Sequence, residues 1–300
     1  MNRLYRAHEL MNAPLPQRRF LLDPLITSQT LALLYGPRGL GKTFVALGIA
    51  RAIASGGSFL GWRADEPRSV VYLDGEMSAI DMKERLAMLG PAPEKLQFLM
   101  AGLGKGASSM PDLGTQRGWG TLMEIMGGPF PALMVIDNLA SVVGFSSKDP
   151  DPWRLVERFL LSLRRTHTSV LIVHHANKQG LQRGTSRRED MLDLIMGIRR
   201  PADYRPGEGA RFELHFEKSR SLYGAEIDPI EARLTMGTDG RSQWTWSKTE
   251  AHELDRVAAL LHDGLNPNQI ARELGISKSK AYRLRELARA TASPDPSSTG

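Results

Sequence analysis

Gly36-Pro37-Arg38-Gly39-Leu40-Gly41-Lys42-Thr43 decides the fold: it spells a complete G-x-x-x-x-G-K-[ST] loop in the setting such a loop needs. Before it runs Thr30-Leu31-Ala32-Leu33-Leu34-Tyr35, an apolar, strand-like stretch. After it, Phe44 to Ala54 is Ala-rich and helix-like. A phosphate chain needs backbone N–H groups that converge on it, and Gly36, Gly39 and Gly41 let the chain wrap that closely. The N-terminus of the following helix adds a partial positive charge. Read this way, Gly36, Pro37, Arg38, Gly39, Leu40, Gly41, Lys42, Thr43 and Phe44 bind a nucleotide. Lys42 reaches the β- and γ-phosphates and the Thr43 hydroxyl holds Mg2+. The competing reading is a chance glycine turn ahead of a helix.

Working outward, short apolar runs alternate with helical patterns, which argues for parallel βαβ units. Ser69 to Asp74, Ala132 to Asp137 and Ser169 to His174 read as buried strands. Ala79 to Leu89 and Arg154 to Arg165 read as helices, and Arg211 to Phe216 alternates polar and apolar as a half-buried strand does. Residues 1–28 read as a proline-punctuated arm packed on the first strand. Gly102 to Gly120, rich in glycine, and the basic stretch Asn177 to Asp190 are expected to be loops.

The chain has 300 residues, enough for one large domain or a core domain with a small appendage. Net charge of +6 and a pI near 9.6 suit an anionic partner, nucleotide or nucleic acid. There is no cysteine, which excludes a disulfide framework and a thiolate metal site and fits a cytoplasmic setting. The first twenty residues lack the apolar run of a signal peptide, and no membrane span is expected.

Further along lie groups that act on a phosphate. Asp137 ends an apolar strand, where a carboxylate holds the Mg2+ coordination sphere; an N-cap for the next helix is its plainer role. Glu76, just past the second strand, is placed to activate a water, with Asp74 as competitor and helix capping as the alternative. His174-His175 ends another strand, so a γ-phosphate sensor is one reading and a structural histidine the other. Adjacent strand residues point to opposite faces, so one metal ion cannot readily take both. Lys218 and Arg220 are alternate residues expected to project together as a trans-acting pair, unless they are plain surface cations. Arg199 is a second finger candidate.

In this order the motifs resemble the RecA/DnaB-like ATPases, and more narrowly the RepA-type hexameric helicases of plasmids, over about Ala13 to Trp246. Val173-His174-His175-Ala176-Asn177-Lys178 followed by Gly184-Thr185-Ser186 carries the narrower likeness. The resemblance implies an α/β RecA-like P-loop core with a mostly parallel twisted sheet flanked by helices. It also implies a homo-hexamer with ATP and Mg2+ between subunits. The implied roles put Lys42 and Thr43 on phosphate and metal, Asp137 on the metal, Glu76 on the water and His175 on the γ-phosphate. Arg199, Lys218 and Arg220 fall at the finger positions, and Lys178, Arg183, Arg187 and Arg188 on the loop facing single-stranded DNA.

The glycine-rich Gly102–Gly120 insertion matches no motif of the family, and the family pattern has no counterpart to the stretch beyond Thr249. Ala251 to Leu261 is helical by spacing, Asn266 to Ser277 reads as helix, glycine turn and N-cap, and Ser277 to Arg289 as a third helix. Lys278, Lys280, Arg283, Arg285 and Arg289 face a lone acid, Glu286, on that third helix. This resembles a helix-turn-helix that reads duplex DNA, the plainer alternative being a small docking bundle. The expected organisation is an arm over 1–28, the ATPase core over 29–248, an all-α helix-turn-helix over 249–290 and a disordered tail over 291–300. Three functions compete: a ring motor on DNA, an ATP-switched DNA-binding regulator or partition-like protein, and a small-molecule kinase.

Overall fold

The computed structural model describes residues 4–15, 17–103, 110–144, 152–175, 190–201, 203–238 and 240–292. Helix α1 (Ala7–Met11) precedes a small hairpin, β1 (Phe20–Leu22) and β2 (Ile26–Thr27). Then follow β3 (Leu31–Gly36), α2 (Lys42–Ser55), a second hairpin of β4 (Ser58–Phe59) and β5 (Trp62–Arg63), β6 (Val70–Asp74) and α3 (Ala79–Met88). Next come β7 (Leu96–Met100), α4 (Gln116–Met126), β8 (Leu133–Asp137), α5 (Pro152–Arg165), β9 (Ser169–His175) and β10 (Leu194–Arg199). The chain continues through β11 (Ala210–Ser219), β12 (Ile230–Met236) and β13 (Ser242–Lys248) to α6 (Thr249–His262), α7 (Pro267–Leu274) and α8 (Lys278–Ala292).

Nine strands form one sheet in the order β13-β12-β11-β10-β3-β9-β8-β6-β7. From β10 to β7 all neighbours are parallel, while β11, β12 and β13 join antiparallel. The cause is visible in β3, whose six residues are all buried, as a strand covered on both faces requires. Leu31, Leu33 and Tyr35 enter one core layer with Val156, Phe159, Leu160 and Leu163 of α5. Ala32 and Leu34 enter the other with Val45, Ile49 and Ile53 of α2. Each such side chain contributes roughly 1.5–3 kcal/mol on burial, so a slip by one residue would exchange both layers.

Several expectations change. The segment expected to be an arm contains the β1–β2 hairpin, with Leu21, Leu22, Leu25 and Ile26 buried in the α2 layer. The Gly102–Gly120 loop ends early: α4 begins at Gln116, capped by the Thr115 side chain accepting from the Gly118 amide at 3.0 Å. A Cβ on Gly118 would lie 1.9 Å from the Asp112 carbonyl oxygen, so close packing rather than turn formation explains that glycine. Residues 104–109 and the basic stretch 176–189 lie outside the described residues. Arg211, expected on the exposed side of an alternating strand, is 7% exposed. Its guanidinium is enclosed by Asp203 at 3.0 Å, Glu208 at 3.0 Å and Glu231 at 2.5 Å.

The last three helices have their own core of Val257, Ile270, Ala271, Leu274, Ala281 and Leu284. Asn266 and Gln269 form a reciprocal capping box at the start of α7, and Gly275 ends it at φ 64°. Ser277 Oγ accepts from the Lys280 amide at 3.2 Å to start α8. Arg256 of α6 reaches Asp203 at 3.2 Å, so one carboxylate serves both Arg211 and the C-terminal helices. Residues 293–300 lie outside the described residues, among which no helix is long and apolar enough to cross a membrane.

Candidate functional site

The glycine loop leaves the C-terminal end of β3, beside the C-terminal ends of β9, β8 and β6, the rim where open α/β sheets bind ligands. Gly39 and Gly41 sit at φ 75° and 100°, conformations that would strain any side chain. Lys42, the first residue of α2, donates from Nζ to the carbonyls of Gly36 at 2.9 Å and Pro37 at 2.7 Å. Burial pulls its pKa down to about 8, against the opposing pull of Asp137 and Glu76.

Asp137 ends β8 and accepts a hydrogen bond from the buried Tyr72 hydroxyl at 2.7 Å. Burial raises its pKa, while the Tyr72 and Thr43 hydroxyls and Lys42 hold the rise in check. Asp74 ends β6 one strand away and is 1% exposed. Its Oδ1 accepts from the amides of Glu76 at 2.9 Å and Met77 at 2.7 Å, which commits it to shaping the turn. Ser78 caps α3, accepting from the Asp81 amide at 3.1 Å, so Glu76 has no capping duty there. The Glu76 carboxylate instead meets His175 Nε2 at 3.2 Å and the Asn138 side-chain amide. A cavity of about 400 Å³ collects Arg38, Lys42, Thr43, Glu76, Asp137 and His175 along one wall.

Residues 4–180, more than half of the chain, match the family model described as AAA domain (AAA_25). The chain belongs to this AAA domain family. It is thus a P-loop ATPase domain, and this AAA-domain protein shares its fold with a KaiC-like protein from the hyperthermophilic archaeon Pyrococcus horikoshii OT3. The TM-score is 0.51 at 16% identity, covering 74% of this chain and 93% of that one. Identity at that level speaks for fold alone, here the RecA-like α/β arrangement. No curated protein matches the chain.

The donor set of this AAA-domain protein fits a magnesium nucleotide. A buried cation, Lys42, lies beside a buried anion, Asp137, and Thr43 lines the same cavity. The described residues hold no group of three or more His, Asp or Glu that would bind an ion unaided. A metal here therefore needs phosphate oxygens and water to complete its shell, as Mg2+ commonly does.

Other candidates lie elsewhere. Arg199 ends β10 on the same rim, paired at 2.7 Å with Glu217, which also accepts from the Tyr35 hydroxyl. Lys218 and Arg220 lie at the opposite rim, because β11 runs antiparallel and pairs Ser219 with Leu194, the first residue of β10. Arg220 falls just past the strand, held by Asp193 at 3.2 Å and the Asp190 carbonyl at 2.7 Å. Because β11 ends at Ser219, strand alternation does not extend to Arg220. Lys178, Arg183, Arg187 and Arg188 lie outside the described residues. Lys278 and Arg283 are exposed on α8, whereas Lys280 pairs at 2.5 Å with Glu253 of α6.

Among the residues that sequence reasoning missed are Arg85, in the cavity wall, and Asn138, beside Glu76. Arg85 of α3 lies over the Phe44 ring at 4.9 Å and lines the cavity, and Asn138 follows Asp137. Adjacency to Asp137 was the available signal for Asn138. Nothing local marks Arg85, whose importance depends on where α3 lies.

Proposed function

We propose that this protein is a Mg2+-dependent ATPase acting on DNA in the cytoplasm, working as a homo-hexameric ring helicase of the RepA type. One observation supports the reading most: Glu76 brings a carboxylate with no backbone duty to the same cavity as Lys42, Thr43 and Asp137. The glycine-loop amides and Lys42 hold the phosphates, and Thr43 and Asp137 hold the metal. Bound Mg2+ neutralises charge on the terminal phosphates. Glu76 takes the proton from a water whose oxygen bonds to the γ-phosphorus as the bond to the ADP oxygen breaks. His175, one hydrogen bond from Glu76, reports the presence of the γ-phosphate. Arg199, Lys218 and Arg220 act on a neighbouring subunit's nucleotide. Lys178, Arg183, Arg187 and Arg188 track single-stranded DNA by phosphate charge, and α7–α8 dock on duplex DNA through Lys278, Lys280 and Arg283.

The separate core of α6–α8 favours a second reading, an ATP-switched DNA-binding regulator that never translocates. ATP-driven unwinding of a forked duplex, lost in Lys42→Ala, separates the two. For the site itself, Lys42→Ala is expected to abolish turnover. Glu76→Gln should retain nucleotide binding and lose about 10²–10⁴-fold in kcat. Near-normal turnover in Glu76→Gln rejects Glu76 as the base.

A further inference from the structure

Asn138 is 4% exposed, and its amide is oriented by its surroundings. Its Oδ1 accepts from the Ser141 backbone amide at 3.2 Å, while its carbonyl accepts from Ser141 Oγ at 2.7 Å. The acceptor end of the side chain is thereby used in the turn. The nitrogen end lies within bonding reach of the Glu76 carboxylate and 3.2 Å from His175 Nε2. A side-chain amide nitrogen is a donor only, so it gives a hydrogen to the Glu76 carboxylate, to which His175 Nε2 also donates.

We infer that Asn138 is the positioning residue that aims the Glu76 carboxylate. The inference rests on the reading of Glu76 as the water-activating base. Glu76 needs such a tether because its side chain is 56% exposed. A free glutamate spreads over several rotamers and loses that freedom when it is ordered for reaction. Displacement by one ångström is enough to lose about a hundredfold in rate. A buried amide already oriented by a backbone turn supplies the order before substrate arrives.

Asn138→Asp keeps the size and the Oδ1 acceptor for Ser141 but replaces the donor facing Glu76 with an acceptor. Asn138→Ala removes both ends. In steady-state ATPase assays on the full chain, both are expected to lose at least about tenfold in kcat, with KM within about threefold of the parent. Ser141→Ala loosens the same turn yet leaves the donor, and should stay within about twofold of the parent kcat. ADP titration and thermal melts on each variant establish that the site is folded. If Asn138→Asp turns over like the parent, or Ser141→Ala loses as much as Asn138→Ala, the residue merely caps a turn and the inference is overturned. Glu76→Gln in parallel separates the failures: activity retained there rejects the base, not the tether.

Discussion

Lys42 Nζ lies against the carbonyls of Gly36 and Pro37, out of water, and its pKa of about 8 follows from that burial. Unfolding returns the amine to about 10.5, so the unfolded chain binds more protons between those values. The burden of keeping Lys42 charged is present below about 8 and is relieved as pH rises through it, so this group favours the folded empty protein in alkali. Phosphate oxygens act oppositely and restore the proton. Nucleotide binding above pH 8 should therefore take up a proton, and binding near pH 6.5 should take up almost none. Titration calorimetry in buffers of different ionisation enthalpy measures this, and Lys42→Arg should abolish the uptake. The glycine loop was legible because the shape of a phosphate chain dictates each residue locally. Asn138 was not, since its neighbour Glu76 stands 62 positions away in the chain.

At the scale of elements, α2 shows why pattern alone misleads. Gly48 sits inside this helix, where alanine is ordinarily better by roughly 1 kcal/mol. A Cβ there would lie 2.2 Å from the Phe59 ring, which the β4–β5 hairpin presses onto the helix. Overpacking of that kind costs about 1–3 kcal/mol, more than the propensity returns. Gly48→Ala should therefore lower the urea midpoint, and a raised midpoint would mean that Phe59 does not sit on α2. Continuous apolar runs made β3, β6, β8 and β9 readable. In contrast, β12 and β13 carry polar residues on a partly wet face, and β10 is interrupted by Gly197, so none stood out. The α4 helix was hidden by Gly118 and Gly120, whose low propensity is overridden by the contacts of Leu122 in the core.

Across the whole molecule, the C-terminal helices have a core of their own, follow β13 directly and pair through Arg256 with Asp203 in the loop after β10. Removing residues after Thr249 should leave ATP turnover within about twofold while weakening duplex binding, as read by a mobility-shift titration. Unchanged binding would reduce these helices to a docking bundle. Arg211→Met would strip the cation from three carboxylates and should lower the midpoint of a denaturation curve.

The P-loop leaves one end of the parallel strands and Arg220 the other, separated by the length of β3, about 20 Å at the usual rise per residue. In the proposed ring, Arg220 therefore serves a neighbouring copy's nucleotide rather than its own. Two crippled preparations, Lys42→Ala and Arg220→Ala, should thus regain turnover when mixed, at sites that join the intact P-loop of one copy to the intact Arg220 of the next.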